Sequence, residues 1–363
     1  MKVLVLATFP STAACTRYRC ALFFDYLKSH GIECELRPFL GKAAFRNLYR
    51  RGGWLSKVGQ VLKAALLRAR EVFAVSGFDV VFVQREAMLF GPPVVEWWCA
   101  RVLRKPLVFD FDDAIFVPYT SPTYGRLATW LKWPGKTATL LRWATSVIAG
   151  NNYLADYARQ FNGEVTIIPT VVEATNWATK SKGSSPHSSI VVGWIGSPTT
   201  TRYLLSVLPV LERLATRHRF VLRVVGANEP ICVPGLEVEN VAWQQSTEVE
   251  QFQSLDVGLY PIVEDRWSVG KSGFKAIQYL AAGVPCVASP VGVNREIIKH
   301  DTNGLLAATP AEWEQQLERL LTDAELRQRL AAAGRCTVAE RYSLEVHAPR
   351  LLAVLQAAKG SRA

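Results

Sequence analysis

The feature that most constrains this chain is an alternation of short β-branched runs with longer helical stretches, repeated in two series. In the first series the runs fall at residues 3–7, 33–37, 79–84, 106–111, 146–149 and 165–168, with helical segments such as 17–29 and 92–103 between them. Parallel strands need crossovers of about a dozen residues or more, usually helical, so this spacing predicts βαβ units on a parallel sheet. Pro169 closes the last run, and residues 174–189, polar and small with a Gly and a Pro, read as a linker. A second series follows, with strands at 190–195, 220–225, 236–241, 257–260 and 285–289. Helices are expected at 200–217, 247–254, 271–282 and over most of 310–340. A last helix near 343–358 carries Leu344, Val346, Ala348, Leu351, Leu352 and Leu355, so one face is expected to be buried. The expected fold class is α/β, with Rossmann-like domains at 1–170 and 190–341, a linker at 171–189 and a terminal helix in 342–363. A chain of 363 residues, 49% of them apolar, is large enough for two such cores.

Charge is one-sided. Residues 1–187 carry 24 Lys and Arg against 13 Asp and Glu, whereas residues 188–363 carry 18 of each. A basic surface attracts nucleic acid, anionic lipid or phosphorylated substrates. No nucleic-acid motif accompanies the charge, so nucleic acid is not an expected partner. Two basic, aromatic stretches suit an anionic membrane interface. One holds Tyr49, Arg50, Arg51, Trp54, Lys57, Lys63, Arg68 and Arg70; the other holds Trp130, Lys132, Trp133, Lys136 and Trp143. Burial of the same aromatics inside the domain is the ordinary alternative.

The seven cysteines are scattered, odd in number and free of any C-x-x-C spacing, which argues against a disulfide framework or a zinc site. The apolar run at 3–7 is short for a signal-peptide core, and no stretch approaches the ~20 apolar residues of a membrane span. The expectation is a cytoplasmic protein with reduced thiols, soluble or resting on a membrane surface.

Two loops of the second half carry binding chemistry. In Val192-Gly193-Trp194-Ile195-Gly196-Ser197-Pro198-Thr199-Thr200 a strand ends in a turn and a helix begins. Glycine permits close backbone approach, and the helix start offers N–H groups to a phosphate. In the second loop Lys271, Ser272, Gly273, Phe274 and Lys275 open a helix that ends at Gly283. Lys271 and Lys275 are four apart and share a face if the helix has begun by Lys271, which suits a diphosphate. A well-capped helix and solvated lysines are the plain alternatives.

The segment at 278–289, QYLAAGVPCVAS, followed by Pro290-Val291-Gly292, resembles the C-terminal signature of family 4 glycosyltransferases. The resemblance extends over 190–342 and, more weakly, into the first half at Gly150-Asn151-Asn152-Tyr153-Leu154. It implies the GT-B architecture: two Rossmann-like domains with an interdomain cleft and a C-terminal helix crossing back to the N-terminal domain. It also implies retaining transfer of a sugar from a UDP- or GDP-linked donor to a glycan or lipid-linked acceptor, in cell-surface polysaccharide biosynthesis. The nucleotide-sugar is a substrate; no cofactor and no metal are implied. Gly196 and Ser197 would approach the diphosphate, Val241 and Trp243 the base, and Gln278, in place of the second glutamate of the family's E-x7-E motif, the ribose. The chain departs from the pattern at Gly270, where the first glutamate is missing, its role lost or moved to Glu264 or Asp265. Trp194 stands where an arginine is usual, leaving Arg202, Lys271 and Lys275 as phosphate cations, Lys271 foremost.

In the first half, Arg17 and Arg19 follow the first strand, at the sheet edge where ligands bind, and are candidates for a donor or acceptor phosphate. Asp110-Phe111-Asp112-Asp113 ends another strand. Three carboxylates look metal-like, though the resemblance implies none. It places Asp112 where the family has a histidine near the reacting sugar. Asp112, with Asp110 beside it, is thus the candidate to orient the acceptor or take its proton, unless it simply pairs with an arginine. Arg85, within Gln84-Arg85-Glu86, is a further acceptor-side candidate. A nucleotide-sugar epimerase of the same fold and an inactive sugar-nucleotide binder stay open. A Rossmann dehydrogenase is disfavoured, because no G-x-G-x-x-G follows the first strand.

Overall fold

A computed structural model of the chain describes residues 1–48, 52–118, 131–178 and 189–361. It divides into two compact units, Met1–Val171 with His347–Ala363, and Val172–Val346.

The first unit is built on β1 (Lys2–Ala7), β2 (Glu33–Pro38), β3 (Val80–Gln84), β4 (Leu107–Phe111), β5 (Ser146–Ala149) and β6 (Val165–Ile167). All pairings are parallel, in the order β2-β1-β3-β4-β5-β6. β3 and β4 are buried at every position, as central strands covered on both faces must be. Strand order reverses between β1 and β3.

The second unit holds β7 (Ile190–Ile195), β8 (Phe220–Val225), β9 (Glu237–Val241), β10 (Val257–Tyr260), β11 (Cys286–Ala288) and β12 (Leu305–Leu306). These are again parallel, in the order β12-β11-β10-β7-β8-β9. Counted within the unit, this is the Rossmann order 3-2-1-4-5-6, with its reversal between β7 and β10. Trp194 is buried in the core with Leu204, Leu222, Leu259, Trp313 and Leu317. Its ring is a packing element where the family pattern has a cation. The two parallel sheets with flanking helices constitute an α/β fold.

Local structure departs from the sequence reading where backbone chemistry intervenes. The helix expected at 200–217 splits into Thr201–Leu205 and Leu208–Ala215, because Pro209 can begin a helix but cannot continue one. The helix expected at 17–29 is three pieces, Ala14–Arg19, Ala21–Phe23 and Phe24–Ser29. The expected linker starts with a short helix, Ala174–Ala178, whose Trp177 is buried edge-on against Phe252, ring centroids 5.4 Å apart. Its remaining residues, 179–188, lie outside the described residues. β12 has two residues, too few to show a period.

The last helix, Leu344–Gly360, buries Ala348, Leu351, Leu355 and Ala358, and from His347 onward it belongs to the first unit. Leu355 is fully enclosed. Leu355→Ala is expected to cost about 2–5 kcal/mol in urea unfolding, the price of a core cavity; a loss under about 1 kcal/mol would mean the helix is dispensable to that core. No helix among the described residues is long and apolar enough to cross a membrane.

Candidate functional site

In open α/β sheets ligands bind beyond the carboxyl ends of the strands, where strand order reverses. In the second unit that place lies at the ends of β7 and β10. The Gly196 N–H donates to the Val225 carbonyl (3.0 Å) and the Gly226 N–H to the Val241 carbonyl (3.0 Å), which steps the ends of β7, β8 and β9 together. A Cβ on Gly196 would sit 2.1 Å from the Trp194 ring, and one on Gly226 2.6 Å from the Gly196 carbonyl oxygen. Neither position admits a side chain, so glycine backbone packs directly on its neighbours at this edge and both residues stay half-buried. The Ser197 N–H donates to Thr200 Oγ1 (2.9 Å), and the Ser197 hydroxyl lies 3.1 Å from that of Thr199. Val241 and Trp243 are partly exposed nearby, Trp243 Cβ only 3.3 Å from where a Gly226 Cβ would be. The fold thus gathers Gly196, Ser197, Val241 and Trp243, which are far apart in sequence.

Tyr279 holds the reversal point. Its hydroxyl accepts from the Ile195 N–H (3.2 Å) and lies 3.3 and 3.2 Å from the Gly193 and Leu259 carbonyls, clipping β7 to β10. Burial pushes its phenol pKa well up. Sequence reasoning passed over it, because its partners are backbone atoms of distant strands.

The lysine loop follows β10. Asp265 accepts from the N–H groups of Trp267 (2.9 Å) and Ser268 (2.6 Å), capping the turn Ser268–Gly270. Gly273 is left-handed (φ 65°) and precedes the helix Phe274–Ala281. A Cβ there would lie 2.4 Å from Ile297. The helix therefore begins after Lys271, whose backbone is extended, and the expected shared helical face of Lys271 and Lys275 does not form. Ser272 lies in the same loop and Phe274 is the first helical residue. Arg202 stacks on Tyr203 (4.8 Å), whose hydroxyl is 3.3 Å from that of Ser268, tying the first loop to this one. Glu264 is exposed, while Asp265 is committed to its turn.

Gly292 (φ 52°) faces the same loop, and a Cβ on it would stand 2.3 Å from the Val269 carbonyl oxygen. Gly292→Ala is expected to cost about 1–2 kcal/mol for the left-handed backbone alone. The clash would also displace the lysine loop. A melting temperature equal to that of the parent protein would refute this packing.

Gln278 is fully buried. Its Nε2 donates to Glu248 (3.2 Å) and its Oε1 accepts from Lys275 Nζ (3.2 Å), which lies 5.1 Å from the Phe252 ring. Glu248, on the helix Glu248–Gln253, had no local signal, since its partner is 30 residues away.

In the first unit the candidate cations and carboxylates hold one another. Arg19 pairs with Asp110, both buried, and donates to the Ile168 carbonyl (2.6 Å). Burial pushes the Asp110 carboxyl up, to about 6, and Arg19 offsets this only in part. Arg85 is left-handed (φ 64°) at the end of β3; its Nε donates to Asp112 (2.8 Å) and its Nη2 to Asp113 (2.5 Å). Gly150 lets the Asp112 backbone approach, since a Cβ there would lie 2.9 Å from the Asp112 Cα. Arg17 stacks on Tyr18 (4.7 Å). The structure thus places Asp110, Arg19 and Asp112 in the interior and leaves only Arg85 and Asp113 of the second group partly open at the edge. Two cations assigned to a basic surface are also internal: Arg68 donates to the Arg37 carbonyl (2.9 Å) and Lys136 pairs with Glu86 (2.5 Å). Tyr49, Arg50, Arg51 and Trp130 lie outside the described residues. Among the described residues no group of three or more His, Cys, Asp or Glu could hold a metal ion.

Residues 189–323 match the sequence model of the family described as "Glycosyl transferases group 1". The "Glycosyltransferase 1 domain-containing protein 1" of Xenopus tropicalis is 28% identical over 110 residues, 30% of this chain and 32% of that protein. The "Uncharacterized glycosyltransferase MJ1607" of Methanocaldococcus jannaschii is 31% identical over 166 residues, 42% of this chain and 40% of that protein. The chain thus spans less than half the length of these curated relatives. Among solved structures, Anabaena Alr3699/HepE in complex with UDP and glucose has a TM-score of 0.69 at 15% identity, over 98% of this chain and 100% of that one. Sucrose-phosphate synthase from Thermosynechococcus elongatus has a TM-score of 0.70 at 14% identity, over 99% of each chain. At such identities the likeness is one of fold. The second unit therefore matches the group 1 glycosyltransferases over most of its length, on a chain with the GT-B fold.

Proposed function

We propose that this chain is a glycosyltransferase whose second unit binds a nucleotide-sugar donor. One observation carries the reading: within the stretch that matches the group 1 family, the β7/β10 reversal point sets the glycine turn at Gly196 beside Trp243, with the loop holding Lys271 tied to it through Tyr203 and Ser268. In this proposal Trp243 and Val241 meet the base, and Gly196, Ser197 and Lys271 meet the diphosphate. Lys275 stands on the diphosphate side and the buried Gln278, braced by Glu248, supports the ribose side from within. Cations rather than a metal ion neutralise the leaving nucleoside diphosphate. The Anabaena neighbour's complexes with UDP and UDP-glucose favour a UDP-linked donor over a GDP-linked one.

The first unit is assigned the acceptor, a glycan or lipid-linked hydroxyl of the kind used in surface polysaccharide assembly. The bond from the anomeric carbon to the diphosphate breaks, a bond to the acceptor oxygen forms with retained configuration, and the hydroxyl proton passes to the departing diphosphate oxygen. Asp112, held by Arg85, orients the acceptor hydroxyl.

A screen of UDP- and GDP-sugars by thermal melting tests the donor site. A true donor at 100 times its Kd adds about 2.7 kcal/mol. If none raises the melting temperature, the donor assignment fails. Product analysis then separates transfer from the epimerase reading, which yields an altered nucleotide-sugar and no glycoside, and from an inactive binder, which yields neither.

A further inference from the structure

The helix Trp54–Glu71 is inside out. It buries Ala64 and Arg68, while Leu55, Val58, Leu62 and Leu66, spaced three and four apart along one face, stand in solvent. Leu62 is 61% exposed and Leu66 69%. An amphipathic helix of a closed domain turns that stripe to the core, and an apolar face left outside marks a contact surface. Trp54 precedes the stripe and Phe73 follows it, both exposed. Beside it runs an apolar groove of about 310 Å³, lined by Ala69, Phe73, Met88, Val94 and Trp98 among others. Trp97 and Val102, on the segment that forms the groove's other wall, are exposed as well.

The charges around this surface are of one sign. Lys63, Arg70, Arg101 and Arg104 are exposed. The acids of the same segments are engaged elsewhere: Glu71 pairs with Arg68 (3.0 Å) and Glu96 is buried. The excess positive charge of the whole chain lies in this half of the sequence. Apolar side chains set among lysines and arginines fit a surface that is anionic outside and hydrocarbon within.

We propose that the outward face of the helix Trp54–Glu71 docks onto an anionic lipid bilayer, its leucines entering the acyl boundary and its cations meeting the headgroups. The proposal stands apart from the donor assignment, because every residue it uses is in the first unit.

The full chain is centrifuged with phosphatidylcholine vesicles containing about a third phosphatidylglycerol, and with pure phosphatidylcholine vesicles. The expected result is co-sedimentation with the anionic vesicles, weakened by salt. Leu62→Glu with Leu66→Glu should lower partition about tenfold or more. Lys63→Gln and Arg70→Gln should each lower it about fivefold. These side chains point outward, so the variants should melt like the parent and keep any thermal shift with UDP-glucose. No binding to anionic vesicles, or equal binding by the Leu62→Glu, Leu66→Glu variant, overturns the proposal. So does a concentration-dependent dimer, seen by sedimentation velocity, that this variant abolishes, since the face would then pair with a second copy.

Discussion

Arg19→Met is expected to destabilise the first unit by about 3–5 kcal/mol at neutral pH, the cost of leaving a buried charge without its partner. Methionine fills much of the arginine's volume but supplies none of its three donated contacts, two to Asp110 and one to the Ile168 carbonyl. The effect should depend on pH with a definite sign. Burial already lifts the Asp110 carboxyl to about 6, and Arg19 is the largest influence opposing that rise. A carboxyl whose folded pKa exceeds its unfolded value of about 4 favours the fold when protonated. That contribution is complete below about 4 and is lost as pH rises through the folded value. In the variant the folded value climbs further, so loss continues above pH 6 after the parent's has ended. The deficit should thus be small near pH 4 and widen from pH 6 to 8. Chemical unfolding across this range measures it; a deficit independent of pH would refute the burial of an ionised pair. Arg19→Met with Asp110→Leu should recover most of the loss, since apolar groups replace a buried pair at little cost.

Lys271→Ala is expected to weaken donor binding about thirtyfold, or about 2 kcal/mol, the worth of a hydrogen bond from a charged group to a phosphate. The side chain leaves from an extended residue between the turn Ser268–Gly270 and the left-handed Gly273. The shift with UDP-glucose should fall more than the melting temperature without ligand. Lys275→Ala should differ: Lys275 Nζ contacts Gln278 and the Phe252 ring, so its loss should lower stability and affinity together. An unchanged UDP-glucose titration for Lys271→Ala would remove this lysine from the site.

Much of the scaffold was legible in the sequence because it is written in local periods. Eleven of the strands lie within a residue or two of where β-branched runs predicted them. Buried parallel strands must be continuous apolar runs, and that signal does not depend on neighbours. The Gly196 turn and the lysine loop were legible for the same reason: each is a strand end followed by glycine and a helix start. The helix start at Phe274 rather than Lys271 was not, because the left-handed Gly273 sits against Ile297 and Val293, 20 or more residues away, where a side chain would not fit.

The chemistry of the charged groups was decided by the tertiary structure. Sequence could offer Arg19, Arg85, Asp110 and Asp112 as ligands or catalysts, but only the fold shows that they spend their charge on each other. It also shows that Gln278 finds Glu248, and that the leucines at 55, 62 and 66 face outward while Arg68 faces in. The order of elements and the two sheets followed from the sequence alone, since backbone hydrogen bonding and apolar burial act over a few residues at a time. Which polar group meets which, and which apolar face stays uncovered, depends on pairwise distances between remote segments. Those distances are fixed only when the strands have taken their places.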